Sequence, residues 1–432
     1  MNTRRPIAIL GGQRIPFARQ TTAYTHASNL EMLTATIDAV VKRFNLQSQR
    51  LGEVAAGAVL KHTRDFNLTR EAVLASQLAP QTPAYDVQQA CATSIETAIL
   101  VGNKIGMGQI EVGIAGGVDS SSDAPVALSE SYRQLVLALN RAKTGSDRLR
   151  ILAGFRLSMF RPSVPNVNER RTGLSMGEHC ELMVKQWGVT REAQDELALA
   201  SHRNGIAAYE EGFYSDLVVP FQGLQRDNNL RADTSMEKLA RLKPAYDKSS
   251  GHGTLTAGNS TPLTDGAAAI LLASAEWANL HGIRPQAWLV DAETAAVDYA
   301  GPHAEGLLMA PAYGVPRLLK RNGLSLQDFD YYEIHEAFAG QVLCTMKAWE
   351  DPDYCRERLG LTHALGSIDR SKLNVRGGSV GLGHPFAATG ARILGSVAKQ
   401  LMLHRSRTGK PARALVSVCA AGGLGATAIV EA

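Results

Sequence analysis

Two hydrophobic patterns alternate along the chain. Short runs of consecutive apolar residues fit strands buried on both faces. Stretches with apolar residues every three to four positions fit amphipathic helices. "PIAILGGQRIPF" reads as a buried strand leaving into a Gly-rich turn. In "LEMLTATIDAVVKRF", Leu33, Ile37, Val40, Val41 and Phe44 share one helical stripe. "EVAAGAVL" predicts a buried strand, Cys91 opens the next helix, and "QIEVGIAGGVDSS" is a strand ending in glycines.

The same order returns near the C-terminus. "PQAWLVDAETAA" predicts a strand, and "PRLLKRNGLSLQDFDYYEIHEAF" echoes "AVVKRFNLQSQRLGEVAAGAV". His384 introduces the helix "GHPFAATGARILGSVAKQL" as Cys91 introduces "ACATSIETAILVGNKI". Each is followed by a strand running into glycines, "VGIAGG" and "LVSVCAAGG". Self-similarity over such a long period reads as a duplicated α/β unit with buried sheets. Between the copies, about 123–250, lies a charged, helix-rich region poor in apolar strands. Its clearest helix is "TREAQDELALASHRNGIAAYEEGF", with Thr190 as N-cap and Gly212 as stop.

Composition narrows the function classes. The 432 residues are 45% hydrophobic and 20% charged, which predicts a large core rather than disorder. A net charge of +4 gives nucleic-acid binding no support. That small total hides a concentration. Between Ser131 and Thr172, nine Arg or Lys face two acids, an excess of +7. This segment is either a solvated helical face or an anion-facing surface for a phosphorylated cofactor, an acidic partner or anionic lipid. The apolar run Ile7–Leu10 is too short for a signal-peptide core, and no run reaches a membrane span. The five cysteines (Cys91, Cys180, Cys344, Cys355, Cys419) are scattered without a CxxC pair, which suggests a reducing, cytoplasmic setting.

Four segments carry candidate chemistry. In "QQACATS", a cysteine in the first turn of a helix sees the positive end of the dipole, which favours thiolate. Alone, a cysteine with this hydrophobic tail is more often a small buried core residue. In "NVRGGSVGLGHPFAATGAR", five glycines surround His384, placing a base close to a ligand. In "LVSVCAAGGLGATAIV", Cys419 ends a strand, and the small residues beside it expose amides for an oxyanion hole. In "YYEIHEAFAGQ", the strand Tyr331–Ile334 ends in His335-Glu336. No second His stands at a four-residue spacing here or in "GEHCE", so no metal is expected.

Taken in this order, these motifs resemble the thiolase family along nearly the whole chain. "MGEHCELMVKQWGVTREAQDELALASH", "KLARLKPAYD" and "GTLTAGNSTPLTDGAAA" extend the likeness. The resemblance implies an α/β thiolase-like fold: two βαβαβαββ units in a five-layer αβαβα arrangement, with an inserted helical loop domain. The expected divisions are 1–122 with 251–280, 123–250 and 281–432. Cys91 would be the acylated nucleophile, His384 its activator and Cys419 the second acid/base. The amides of Cys91 and Ala421 would form one oxyanion hole. His384 and a water held by His335 would form the other. Most members carry Asn where His335 stands, and with the long basic insertion this looks like the thiolase subunit of the β-oxidation trifunctional complex. Arg231 and Thr261 would contact coenzyme A, a substrate; no cofactor is implied.

The implied partners are acyl-CoA and CoA, a second copy in a dimer or larger assembly, a hydratase/dehydrogenase subunit, and a peripheral membrane contact. The implied reaction is thiolysis of 3-ketoacyl-CoA. Acetoacetyl-CoA synthesis is the alternative, and non-catalytic acyl-CoA binding a more distant one. A ketoacyl synthase would carry a second His where Cys419 stands. Ser175, where short-chain enzymes commonly carry His, points to medium or long acyl chains.

Overall fold

The computed structural model describes residues 5–165 and 168–432. Met1–Arg4, including one of the N-terminal arginines, and Asn166–Val167 of the basic segment lie outside the described residues.

Among the described residues the strands are β1 (Ile7–Arg14), β2 (Ala18–Arg19), β3 (Glu53–Ala56), β4 (Ala84–Asp86) and β5 (Val112–Asp119). They continue with β6 (Thr264–Ser274), β7 (Ala287–Ala296), β8 (Tyr331–Ile334), β9 (Arg413–Ala420) and β10 (Leu424–Glu431). They hydrogen-bond in the order β4-β3-β5-β6-β1-β7-β10-β9-β8, with β2 on β6. The duplication is visible in this order. In the first half β5, β6 and β1 are antiparallel, and β3 and β4 add in parallel. In the second, β9, β10 and β7 repeat the antiparallel set and β8 adds in parallel. A parallel bridge between Tyr332 and Leu373 stands where β4 pairs in the first half. The half-sheets join where Ile7–Ile9 pair with Ala287–Leu289.

Alternation along each strand builds the layers, because successive side chains point to opposite faces. Ile7 and Ile9, with Ala268, Ile270 and Leu272, face a central layer made by helices Thr93–Gly106 and Thr389–Thr408. Ala8 and Leu10, with Leu271 and Ala273, face the outer helices Asn29–Arg43 and Leu68–Ala75. Leu415 and Ile429 face Ala310–Asn322 and Ala339–Glu350 on the other outer side. The result is the expected αβαβα stack. Ile95 and Ile393 of the two central helices are essentially fully buried. Each such side chain contributes about 1.5–3 kcal/mol by leaving water.

Several local expectations shift: β5 runs on through Gly116 and Gly117 to Asp119, and the helix that His384 introduces begins only at Thr389. β1 runs through its glycines instead of ending at them, with a register bulge between Ile9 and Gly11. Gly12 is there for closeness: a Cβ would lie 2.9 Å from the Gly395 Cα of the central helix. Cys91 does not open its helix either, because Ala92 is the N-cap and the helix starts at Thr93.

Between the halves, Ser175 caps Met176–Gln186 in a capping box with Glu178. Thr190 caps Arg191–Glu210 through the Ala193 amide, and the chain leaves at Gly212 with φ 72°. The basic segment forms a hairpin, Glu130–Arg141 and Gly145–Leu152, neither helix of which has a buried residue. Leu149 and Leu157 are 70% and 80% exposed. No helix of the described residues is long and apolar enough to cross a membrane.

Candidate active site

Cys91 sits in the connection between β4 and the first central helix. Ala90 before it holds φ at +47°, a left-handed conformation that is uncommon for a non-glycine residue. Thr93 secures this kink: its hydroxyl donates to the Ala90 carbonyl at 2.7 Å and accepts from the Gln89 amide at 2.9 Å. The kink turns the half-buried Cys91 thiol toward His384, whose Nε2 lies 3.1 Å from Sγ.

His384 is held from both sides. Its amide donates to Thr264 Oγ1 at 2.7 Å, and its Nδ1 is 2.6 Å from Thr389 Oγ1. Donation from Nδ1–H to Thr389 leaves Nε2 free to accept the thiol proton. The turn that follows, Phe386–Ala388, is pinned by Asp119, which accepts the Ala387 amide at 2.8 Å together with the amides of Val59 and Leu60.

The protonation states differ from the sequence expectation. Burial, opposed by the amides of Ala421 and Cys91, pushes the Cys91 thiol up to about 12. Burial, then the nearby Arg392 charge, pulls His384 down to about 3. The resting pair is therefore neutral thiol and neutral imidazole, not thiolate. Cys91 precedes the helix cap instead of lying in the first turn, and desolvation outweighs the dipole. Because the thiol's ionisation lies near pH 12, the rate of Cys91 alkylation by iodoacetamide should climb with pH through 9 without a plateau. A plateau between pH 5 and 8 would reveal an ion pair instead.

Cys419 lies one residue from the end of β9. Its neighbours Val418 and Ala420 face the central layer, so Cys419 faces the opposite cluster with Cys180, Met183, Leu308 and Phe338. Burial, then the neighbouring Cys91, raises it well above an ordinary thiol. Two residues on, the Ala421 amide reaches Cys91 Sγ.

His335 follows β8 directly, and its ring centroid is 4.2 Å from that of His384. Its Nδ1 is 2.8 Å from Ser379 Oγ, while its Nε2 is buried without a hydrogen-bond partner. Glu336 points away, accepting from Ser201, Asn374 and the Val380 amide beneath the Gly-rich loop. The two residues of the His–Glu pair thus serve different surroundings. Ligand atoms of Cys91, His335 and His384 do gather within 4.8 Å of one another, a clustering that spacing along the chain cannot reveal.

Cys91, His384, Cys419 and Ala421 line one cavity of about 120 Å³ with Met176, Leu308 and Phe338. A second cavity of about 230 Å³ is lined by Arg19, His202, Arg231 and Lys238. One segment walls both: Ser260 and Pro262 face the second, Thr261 and Leu263 the first. Arg231 and Thr261 thus sit in adjoining cavities, and Thr261 Oγ1 donates to the Ala337 carbonyl at 3.1 Å. Sequence reasoning did not single out Thr264, Asp119, Ser379 or Arg392. Their roles depend on partners elsewhere along the chain, although Arg392, like Thr389, lies in the "ATGAR" that follows His384.

Comparison with known proteins decides the family. Residues 7–276 match the family model for the thiolase N-terminal domain, and residues 286–432 that for the thiolase C-terminal domain. The chain belongs to the thiolase family. Among its relatives, the 3-ketoacyl-CoA thiolase of Pectobacterium atrosepticum is 40% identical over 98% of this chain and 96% of its own. That of Yersinia enterocolitica is 39% identical over the same shares. Among solved structures, a Bacillus anthracis acetyl-CoA acetyltransferase aligns with a TM-score of 0.81 at 30% identity, covering all of both chains. An Ascaris suum thiolase in complex with coenzyme A aligns at 0.80 and 26% identity over 99% of each. In this thiolase the two motif cysteines and His384 meet at one cavity, with His335 buried behind His384.

Proposed function

We propose that the protein is a 3-ketoacyl-CoA thiolase of fatty-acid degradation, cleaving 3-ketoacyl-CoA with CoA to acyl-CoA and acetyl-CoA. The observation that carries the reading is the 3.1 Å approach of Cys91 Sγ to His384 Nε2 in a cavity that also holds Cys419. His384 takes the Cys91 proton as sulfur attacks the keto carbon. The amides of Cys91 and Ala421, with His335 and His384, face the oxygens on which charge develops. Cys419 protonates the acetyl-CoA carbanion as the carbon–carbon bond breaks. The proton on His384 then passes to the Cys419 thiolate; His384 next takes the CoA thiol proton as CoA attacks the acyl group, and returns it to the departing Cys91 sulfur.

The cavity around Arg231 and Lys238 suits the phosphates of CoA, with Thr261 on the path toward Cys91. Residues 123–250 act as a loop domain between two thiolase halves, 1–122 with 251–280 and 281–432. Ser175 caps a helix and also lines the cavity, where its small side chain leaves room beside Met176, Leu308 and Phe338 for an acyl chain. Thiolysis assays on a chain-length series test both points. Turnover on 3-ketohexadecanoyl-CoA should match or exceed that on acetoacetyl-CoA. Absence of turnover and of an acyl adduct on Cys91 would overturn the enzyme reading, and a strict acetoacetyl preference would favour the acetyltransferase alternative.

A dimer is the minimal assembly, and five free thiols fit a cytoplasmic setting. The hairpin, with exposed Leu149 between Arg148 and Arg150 and with Arg156 and exposed Leu157 just beyond it, suits docking of a hydratase/dehydrogenase subunit. Arg148→Glu with Arg150→Glu should abolish co-purification with that subunit. Unchanged co-purification rejects the docking, and loss of sedimentation with anionic vesicles alone assigns the hairpin to a membrane surface.

A further inference from the structure

Beyond the catalytic groups, one buried chain of hydrogen bonds ends at His335, beside the Cys91–His384 pair. Arg392, fully buried in the central helix Thr389–Thr408, donates from Nη2 to Ser379 Oγ at 2.8 Å. Ser379, wholly buried in the Gly-rich loop, lies 2.8 Å from His335 Nδ1. A guanidinium can only donate, so the serine oxygen must accept from it. The serine hydrogen then has one acceptor within reach, the Nδ1 of His335. The reverse arrangement, with Nδ1–H donating to Ser379, would leave a buried hydroxyl hydrogen unsatisfied, which is costly away from water. It would also leave the buried His335 Nε2 as a bare acceptor beside His384 and Cys91.

We propose that Arg392 and Ser379 are positioning residues that fix His335 as its Nε2–H tautomer, leaving that hydrogen free within the buried cluster it forms with His384 and Cys91. The inference rests on the thiolase reading. It gives a use to the buried, unpartnered Nε2 of His335. A neutral imidazole offers one hydrogen only, and an oxyanion or its bridging water requires a donor. The carboxamide of an Asn would supply such a hydrogen without any relay, because an amide has no tautomer to choose. His335 therefore needs its two supporting residues, and burial, which holds it well below the ordinary imidazole range, keeps it from gaining a second proton. The Arg392 charge reinforces this by polarising the serine hydroxyl toward Nδ1.

Arg392 also neighbours Glu333, which burial raises to about 7, so removing the arginine would disturb more than the relay. The test is made at Ser379, in the intact protein. Ser379→Ala should lower kcat for thiolysis by about tenfold or more with little change in KM. In a His335→Asn background, the same change should alter kcat by less than about twofold. Equal losses in both backgrounds would mean that Ser379 acts through packing, and would overturn the proposal. Nitrogen-15 spectra of histidine-labelled protein give a readout independent of activity. The His335 resonance, identified by its loss in His335→Asn, should show Nε2 protonated and Nδ1 bare in the wild type. Ser379→Ala should shift it toward a tautomer mixture. A wild-type spectrum with Nδ1 protonated would overturn the relay. Wild-type protein without thiolysis would instead overturn the thiolase reading, and the spectrum would still decide the tautomer.

Discussion

Cys419→Ala is expected to stop carbon–carbon cleavage while leaving acyl exchange intact, and Cys91→Ala to stop both. The two thiols line the same cavity but stand on different halves of the duplicated fold. Of the two, Cys91 is the one with a base at hydrogen-bond distance among the described residues, which on the proposed reading makes it the acyl carrier. Cys419 is a buried neutral thiol, suited to give a proton to a carbanion and to take it back. Exchange of labelled CoA into acyl-CoA needs the Cys91–His384 pair and no carbon acid. Cys91→Ala should therefore lower both reactions by at least about 10⁴-fold. Cys419→Ala should lower thiolysis by about a thousandfold and exchange by only a few-fold. Exchange persisting in Cys91→Ala would assign the nucleophile elsewhere.

Gly117→Ala should damage both stability and rate, though it touches no reacting group. Gly117 lies in β5, and a Cβ there would overlap the main-chain carbonyl of Ala387. That carbonyl belongs to the turn Phe386–Ala388 which follows His384, so the obstacle is backbone and cannot rotate away. The turn must move out, loosening the bond from the Ala387 amide to Asp119 and drawing His384 from Cys91. Overpacking of this kind costs about 3 kcal/mol. A displacement near 1 Å costs about a hundredfold in rate. Thermal unfolding and kcat/KM should both fall. Gly145→Ala, at a position with open space around it, should change neither. A Gly117→Ala enzyme with wild-type kcat/KM would show that the turn tolerates the methyl.

Much of the fold was legible before any coordinates. Leu33, Ile37, Val40 and Val41 declare a helix stripe, and all four are buried. The strand Tyr331–Ile334 and the Thr190 cap fall where their patterns place them. The repeated order of strands and helices announces the duplication that the sheet order displays. These features depend on side-chain periodicity, capping chemistry and residue type, which are local properties carried by neighbouring residues.

The site was legible as a set of residue types, less so as a set of states. "QQACATS" suggested a thiolate at a helix start. The thiol lies before the cap, and desolvation keeps it protonated. β1 was expected to end at glycines that instead admit the backbone of a helix some 380 residues away. By itself the sequence determined the elements, the repeat and the four chemical groups. Tertiary structure alone decided that Cys91 meets His384, that His335 and Glu336 part ways, and that Ser379 and Arg392 stand behind His335. Protonation, tautomer and clearance are set by burial and by partners distant in sequence, and no local pattern encodes the distance between them.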